Sequence, residues 1–142
     1  MKGDRYDDQK AMVERIARVA TRIIPEQMGI DLRFINARTA FTDRREEQIL
    51  TDMTAVTPRG TTPLGRSLKE RILEPLIHHP LERGITLERP YLISIITDGR
   101  PDDHELFINA LHECKSALED ANYPEYSMLC ASPCCAPGTS QY

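Results

Sequence analysis

The chain has 142 residues, 40% of them hydrophobic, which is the size of one globular domain with little left over for a second. Its formal net charge of −4 offers no broad attraction to phosphate backbones or anionic lipid, so nucleic acid is a poor default partner. No apolar run approaches the roughly 20 residues that span a bilayer, and Met1-Lys2-Gly3-Asp4-Arg5 contains no apolar signal core, so the expected location is cytoplasmic. Cys114, Cys130, Cys134 and Cys135 crowd into the last third, where they supply no disulfide framework for a domain and read most simply as reduced thiols.

From Asp8 to Ile24, Met12, Ile16, Val19, Ala20 and Ile23 recur at spacings of three and four, predicting an amphipathic helix that Pro25 ends. Ile30-Asp31-Leu32-Arg33-Phe34-Ile35 alternates apolar and polar side chains as a strand with one covered face does, and a short second strand is expected around Thr39 to Thr42. Charged residues 43–47 then lead into a helix with Ile49, Leu50 and Met53 inward, ending near Pro58.

Thr61-Thr62-Pro63 predicts the next helix start, because a threonine can cap the first amides and proline is tolerated at the first helical position. Leu64, Leu68, Ile72 and Leu76 follow at i+4 steps, with Pro75 expected to kink or loosen the last turn. His78 to Arg89 reads as a polar loop. Tyr91-Leu92-Ile93-Ser94-Ile95-Ile96 is nearly all apolar, the pattern of a central parallel strand covered on both faces. Asp102 to Asn122 repeats the helical period with Phe107, Ala110, Leu111, Cys114, Leu118 and Ala121 on one stripe, and Tyr126 to Cys130 fits one more short strand. Strands separated by helices imply a layered α/β fold with a mostly parallel sheet, whose ligands are expected beyond the carboxyl ends of the strands.

Two segments place oxygen donors at that edge: Gly60-Thr61-Thr62-Pro63-Leu64-Gly65 before a helix, and Ile96-Thr97-Asp98-Gly99-Arg100-Pro101 after the apolar strand. An aspartate ending a central strand, followed by a glycine that lets the chain turn, points a carboxylate into the crevice where a hard cation such as Mg²⁺ is at home. A neighbouring threonine hydroxyl can fill part of an octahedral oxygen shell. Either segment alone is also an ordinary turn sequence, and it is the pair, in this order, that carries weight.

Gly-Thr-Thr-Pro-Leu-Gly and Ile-Ile-Thr-Asp-Gly-Arg-Pro resemble the second and third parts of the metal-ion-dependent adhesion site of von Willebrand factor A (vWA) domains. The resemblance implies a Rossmann-like three-layer sandwich and a protein-binding module that is not an enzyme, in which Mg²⁺ or Mn²⁺ receives an acidic side chain from a partner protein. It implies Thr62 as the hydroxyl ligand, with Thr61 a near alternative, and Asp98 as the acidic ligand. Gly60, Gly65, Thr97 and Gly99 support the loops. The family's first motif, Asp-x-Ser-x-Ser at the end of its first strand, is not among these residues, and Met1 to Tyr6 resembles the residues that come after it. The expected layout is therefore a partial vWA domain over 1–130, lacking its first central strand and cut short at its far end, with a disordered tail over 131–142. Metal binding by Thr62 and Asp98 alone is expected to be weak or absent.

Other readings stand beside this one. Asp102, Asp103 and His104 next to Asp98 suggest a small metal-assisted hydrolase, against which no nucleophile elbow or phosphate loop is present and helix capping is the plainer role for the acids. Cys130, Cys134 and Cys135 lack a partner pair for zinc. His78-His79, His104 and His112 read as solvated side chains. A metal-free interaction surface or a non-functional truncated product is the third possibility.

Overall fold

A computed structural model describes residues 4–23, 28–57, 60–97, 100–124 and 128–131, with the side chains of 4–6, 23 and 128–131 excepted. It is a mixed α/β chain in two compact units, Met1–Thr61 and Thr62–Tyr142.

In the first unit, helix α1 (Asp4–Ile23) buries Val13 and Ala17, while Met12 is 38% and Val19 58% exposed. The inward stripe is therefore rotated by one residue from the predicted one: Ile16 and Ala20 are half-buried beside it. Strands β1 (Ile30–Arg33) and β2 (Ala40–Arg44) pair antiparallel. Ile30 faces Arg44 while Leu32 faces Phe41, so β2 carries one extra residue, a bulge. Asp43 takes that strain at φ 53°, and its carboxylate offsets it by accepting the Gly29 amide at 2.6 Å. A Cβ on Gly29 would stand 2.6 Å from the Arg44 nitrogen, which is why glycine sits opposite the bulge. Helix α2 (Glu46–Thr54) begins where the Arg45 amide donates to the Gln48 side chain at 3.0 Å, and it buries Ile49 and Met53 as the spacing predicts. Arg18 of α1 bonds Glu46 of α2 at 3.0 Å, and Arg44 pairs with Asp52 at 2.8 Å.

In the second unit, the short α3 (Leu64–Leu68) runs into a π-helical segment, Lys69–His78, and then α4 (His79–Glu82). Pro75 lies inside the widened segment, whose i→i+5 bonding loosens the turn as the missing amide and the ring's clash with the preceding carbonyl require. The widening also shifts the register: Leu64 and Leu68 are buried as predicted, but the next buried positions are Leu73 and Ile77, while Ile72 and Leu76 are half-buried. A five-residue step from Leu68 to Leu73 is what wider turns bring onto one side. The predicted loop from His78 to Arg89 is corrected in its first part, since residues through Glu82 are helical and only the stretch from Arg83 to Arg89 is irregular. Apolar residues continuing past Pro75, at Ile77 and Leu81, extend the helix.

Strand β3 (Tyr91–Ser94) pairs parallel with β4 (Met128–Ala131) in register, and α5 (His104–Asp120) connects them, a β–α–β unit. The strand is not covered on both faces: Ile93 and Ile95 are buried, but Leu92 is 65% exposed. Helix α5 buries Ala110, Cys114 and Leu118 as its period predicts, with His104 and His112 exposed. Its end is tied back by the Leu87 amide, which donates to the Tyr123 hydroxyl at 2.7 Å. Among the described residues the strands thus form two separate pairs, one antiparallel and one parallel, rather than a single mostly parallel sheet.

Candidate functional site

The Thr62 turn is built differently from an ordinary helix start. Pro63 adopts φ −76° and ψ 64°, the geometry of an inverse γ-turn, and the Leu64 amide donates to the Thr62 carbonyl at 2.8 Å across it. Proline therefore stands just outside α3 instead of at its first position, and neither threonine caps the helix. The cap comes from far along the chain. The Gly65 and Arg66 amides each donate to one oxygen of the Asp103 carboxylate, both at 2.8 Å. Asp103 occupies the start of α5 but makes no side-chain bond to its own helix. Capping is the right chemistry for this acid, applied to a neighbouring helix.

Asp102 completes the junction. Its carboxylate accepts the Thr62 amide, and its own amide donates to the Thr62 carbonyl at 3.0 Å. The Thr62 hydroxyl takes no part in these contacts. Gly65 is buried where α3 meets α5: a Cβ there would run into the Phe107 amide nitrogen and stand 2.9 Å from the Asp103 carbonyl oxygen. Its role is close packing of two backbones, which only glycine permits. For Asp103, burial is the largest influence and pushes its pKa up. The amides of Arg66, Gly65 and Asp103 itself, with the Arg66 charge, together outweigh burial and hold the carboxyl below its usual range.

The remaining expected residues fall in separate places. Thr61 is exposed and belongs to the first unit, where its carbonyl accepts the Asn36 side-chain amide at 2.6 Å. Gly60, beside it, has φ +89°, a left-handed backbone that favours glycine in the loop. The two candidate threonines are thus anchored in different units, Thr61 by Asn36 and Thr62 by Asp102. Thr97 is half-buried three residues beyond β3. Asp98 and Gly99 lie outside the described residues, as do residues 132–142, Cys134 and Cys135 among them; Ala131, the first residue of the expected 131–142 tail, instead ends β4.

The donors named are all oxygen, which suits a hard cation. Among the described residues, no three His, Cys, Asp or Glu side chains gather to hold a metal ion. No helix among them is long and apolar enough to cross a membrane. No protein-family model, curated protein or solved structure matches the chain. Sequence reasoning missed the service of Asp102 and Asp103 to the Thr62 turn, and it missed Asn36. The available signal was that a helix has one N-cap position, so two adjacent aspartates before α5 leave one surplus.

Proposed function

We propose that this chain is a vWA-type protein-interaction module in which the Thr62 hydroxyl and the Asp98 carboxylate serve a divalent cation, Mg²⁺ or Mn²⁺, that receives an acidic side chain of a partner protein. On this reading the β3–α5–β4 unit, with its parallel pairing, is the part that corresponds to a vWA-type three-layer sandwich. The observation that carries the proposal is the tie between the first motif and Asp102, the residue that directly follows the second. Thr62 is held through its amide and carbonyl to Asp102, four residues after Asp98, which leaves its hydroxyl available. The end of a parallel strand is also where ligands of open α/β sheets bind.

Hydrolysis is the weaker reading, because the Asp102 and Asp103 carboxylates that it would use are engaged with the backbone amides of Thr62, Gly65 and Arg66. Both oxygens of Asp103 and one of Asp102 are taken up in holding the turn, a structural use that sets neither acid against a nucleophile.

The test is calorimetric titration with Mg²⁺ and Mn²⁺ of this chain and of a form extended by a strand ending in Asp-x-Ser-x-Ser, with folding followed by circular dichroism. Binding by the folded extended form that is lost in Asp98→Ala supports the proposal. A well-folded extended form that binds neither ion sinks it.

A further inference from the structure

We infer that Asp102 and Asp103 are positioning residues for the Thr62 turn, one carboxylate gripping each side of Pro63 and together fixing where the Thr62 hydroxyl stands. What that hydroxyl serves rests on the cation-binding reading above; the grip itself does not. From Thr62 to Ser67 the chain has five backbone amides, and each has an identified acceptor: Thr62 gives to Asp102, Leu64 to the Thr62 carbonyl, Gly65 and Arg66 to Asp103, and Ser67 to the Pro63 carbonyl. Three of those five acceptors are the two aspartates. The segment is the first turn of the helical run from Leu64 to Glu82, where the leading amides have no partner within the helix, and it has no local side-chain cap. Removing either carboxylate leaves its amides to solvent, which does not hold them in place as a fixed carboxylate does. Gly65 lets the grip close, because any side chain there would hold the start of α5 away.

The two acids are not equivalent. Asp103 uses both oxygens, one per amide, whereas Asp102 uses one oxygen on Thr62. Asparagine offers a single acceptor oxygen. Asp102→Asn therefore keeps its contact while Asp103→Asn keeps only one of two, an asymmetry that a general loss of stability would not produce.

The experiment is residue-resolved amide hydrogen exchange on the full chain for the Ala and Asn variants at both positions, followed by Mn²⁺ line broadening on the form extended by a strand ending in Asp-x-Ser-x-Ser and on its variants at Asp102. Asp103→Ala is expected to speed exchange at Gly65 and Arg66 at least tenfold while the Cys114 and Leu118 amides of α5 stay at the wild-type rate, and Asp103→Asn to free one of the two. Asp102→Ala is expected to free the Thr62 amide and Asp102→Asn to restore it. Unchanged exchange at 62–66, or acceleration spread evenly through α5, overturns the positioning role. Broadening at Thr62 in the extended form that weakens when Asp102→Ala is added and returns with Asp102→Asn supports its service to the cation; broadening that Asp102→Ala leaves intact overturns that service. If Mn²⁺ broadens nothing in the folded extended form while the exchange pattern holds in the chain itself, the cation reading fails and the grip on the turn stands.

Discussion

At Gly65 and Asp103 single atoms decide how α3 meets α5. Gly65→Ala places a methyl group against the α5 backbone, where neither neighbour is a flexible side-chain tip. Overpacking of this kind costs about 1–3 kcal/mol, so the urea midpoint should fall accordingly with little change in slope. The depressed pKa of Asp103 sets a pH dependence whose sign is fixed: its stabilisation is complete above the unfolded value near 3.8 and disappears as pH falls through the lower folded value. Stability measured from pH 7 down to 3 should therefore drop less steeply below about pH 4 in Asp103→Asn than in the wild type. An equal slope in both would remove Asp103 from the acid response. Glu113, held low by its hydrogen bond to Lys69, contributes in the same direction and remains in both proteins. Cys114 is fully buried, and burial pushes its thiol up to about 11. Peptide mapping after alkylation at pH 8 should find Cys114 unmodified in the folded chain and modified in denaturant.

The elements show how far periodicity reaches. Helix α5 is legible along its middle, where an apolar residue every three or four positions encodes the buried face within one contiguous segment; Phe107 and Leu111 are half-buried beside it, and Ala121, expected on the stripe, is exposed just past the helix end. Beyond Leu68 the same rule points to Ile72 and Leu76, whereas the π-helical segment around Pro75 buries Leu73 and Ile77. That register has a direct test. Leu73→Ala and Ile77→Ala should each cost about 2–5 kcal/mol, and Leu76→Ala distinctly less, since it vacates only a half-buried position. Equal losses at 73 and 76 would restore the i+4 stripe. In α1 the offset is smaller. Met12 and Val19 satisfy a helical period as well as Val13 and Ala17 do, and a run with apolar residues at adjacent positions leaves the orientation open by one residue. For β3, an apolar sequence predicts cover on both faces, yet Leu92 is mostly exposed, because coverage depends on what packs against the strand and not on the strand itself.

At the scale of the whole molecule, the chain gathers into two units with separate buried clusters, Val13, Ala17, Ile49 and Met53 in one and Leu64 through Leu118 in the other. Ile49→Ala should lower hydrogen-exchange protection at Val13 and Met53 while leaving Leu73 and Cys114 unaffected; a uniform loss would show that the units unfold as one. The sequence by itself determined the alternation of helices and strands, the apolar stripe of α5, the glycine turn at Gly60 and the two oxygen-bearing motifs, all of which are written in neighbouring residues through period, capping chemistry and allowed backbone angles. Only the tertiary structure decided that Thr61 and Thr62 are anchored in different units, that the strands pair two by two, and that α3 is capped from Asp103. A carboxylate finds its amides by where the chain has folded, and the partners here stand 37 to 40 residues apart, beyond the reach of any local pattern.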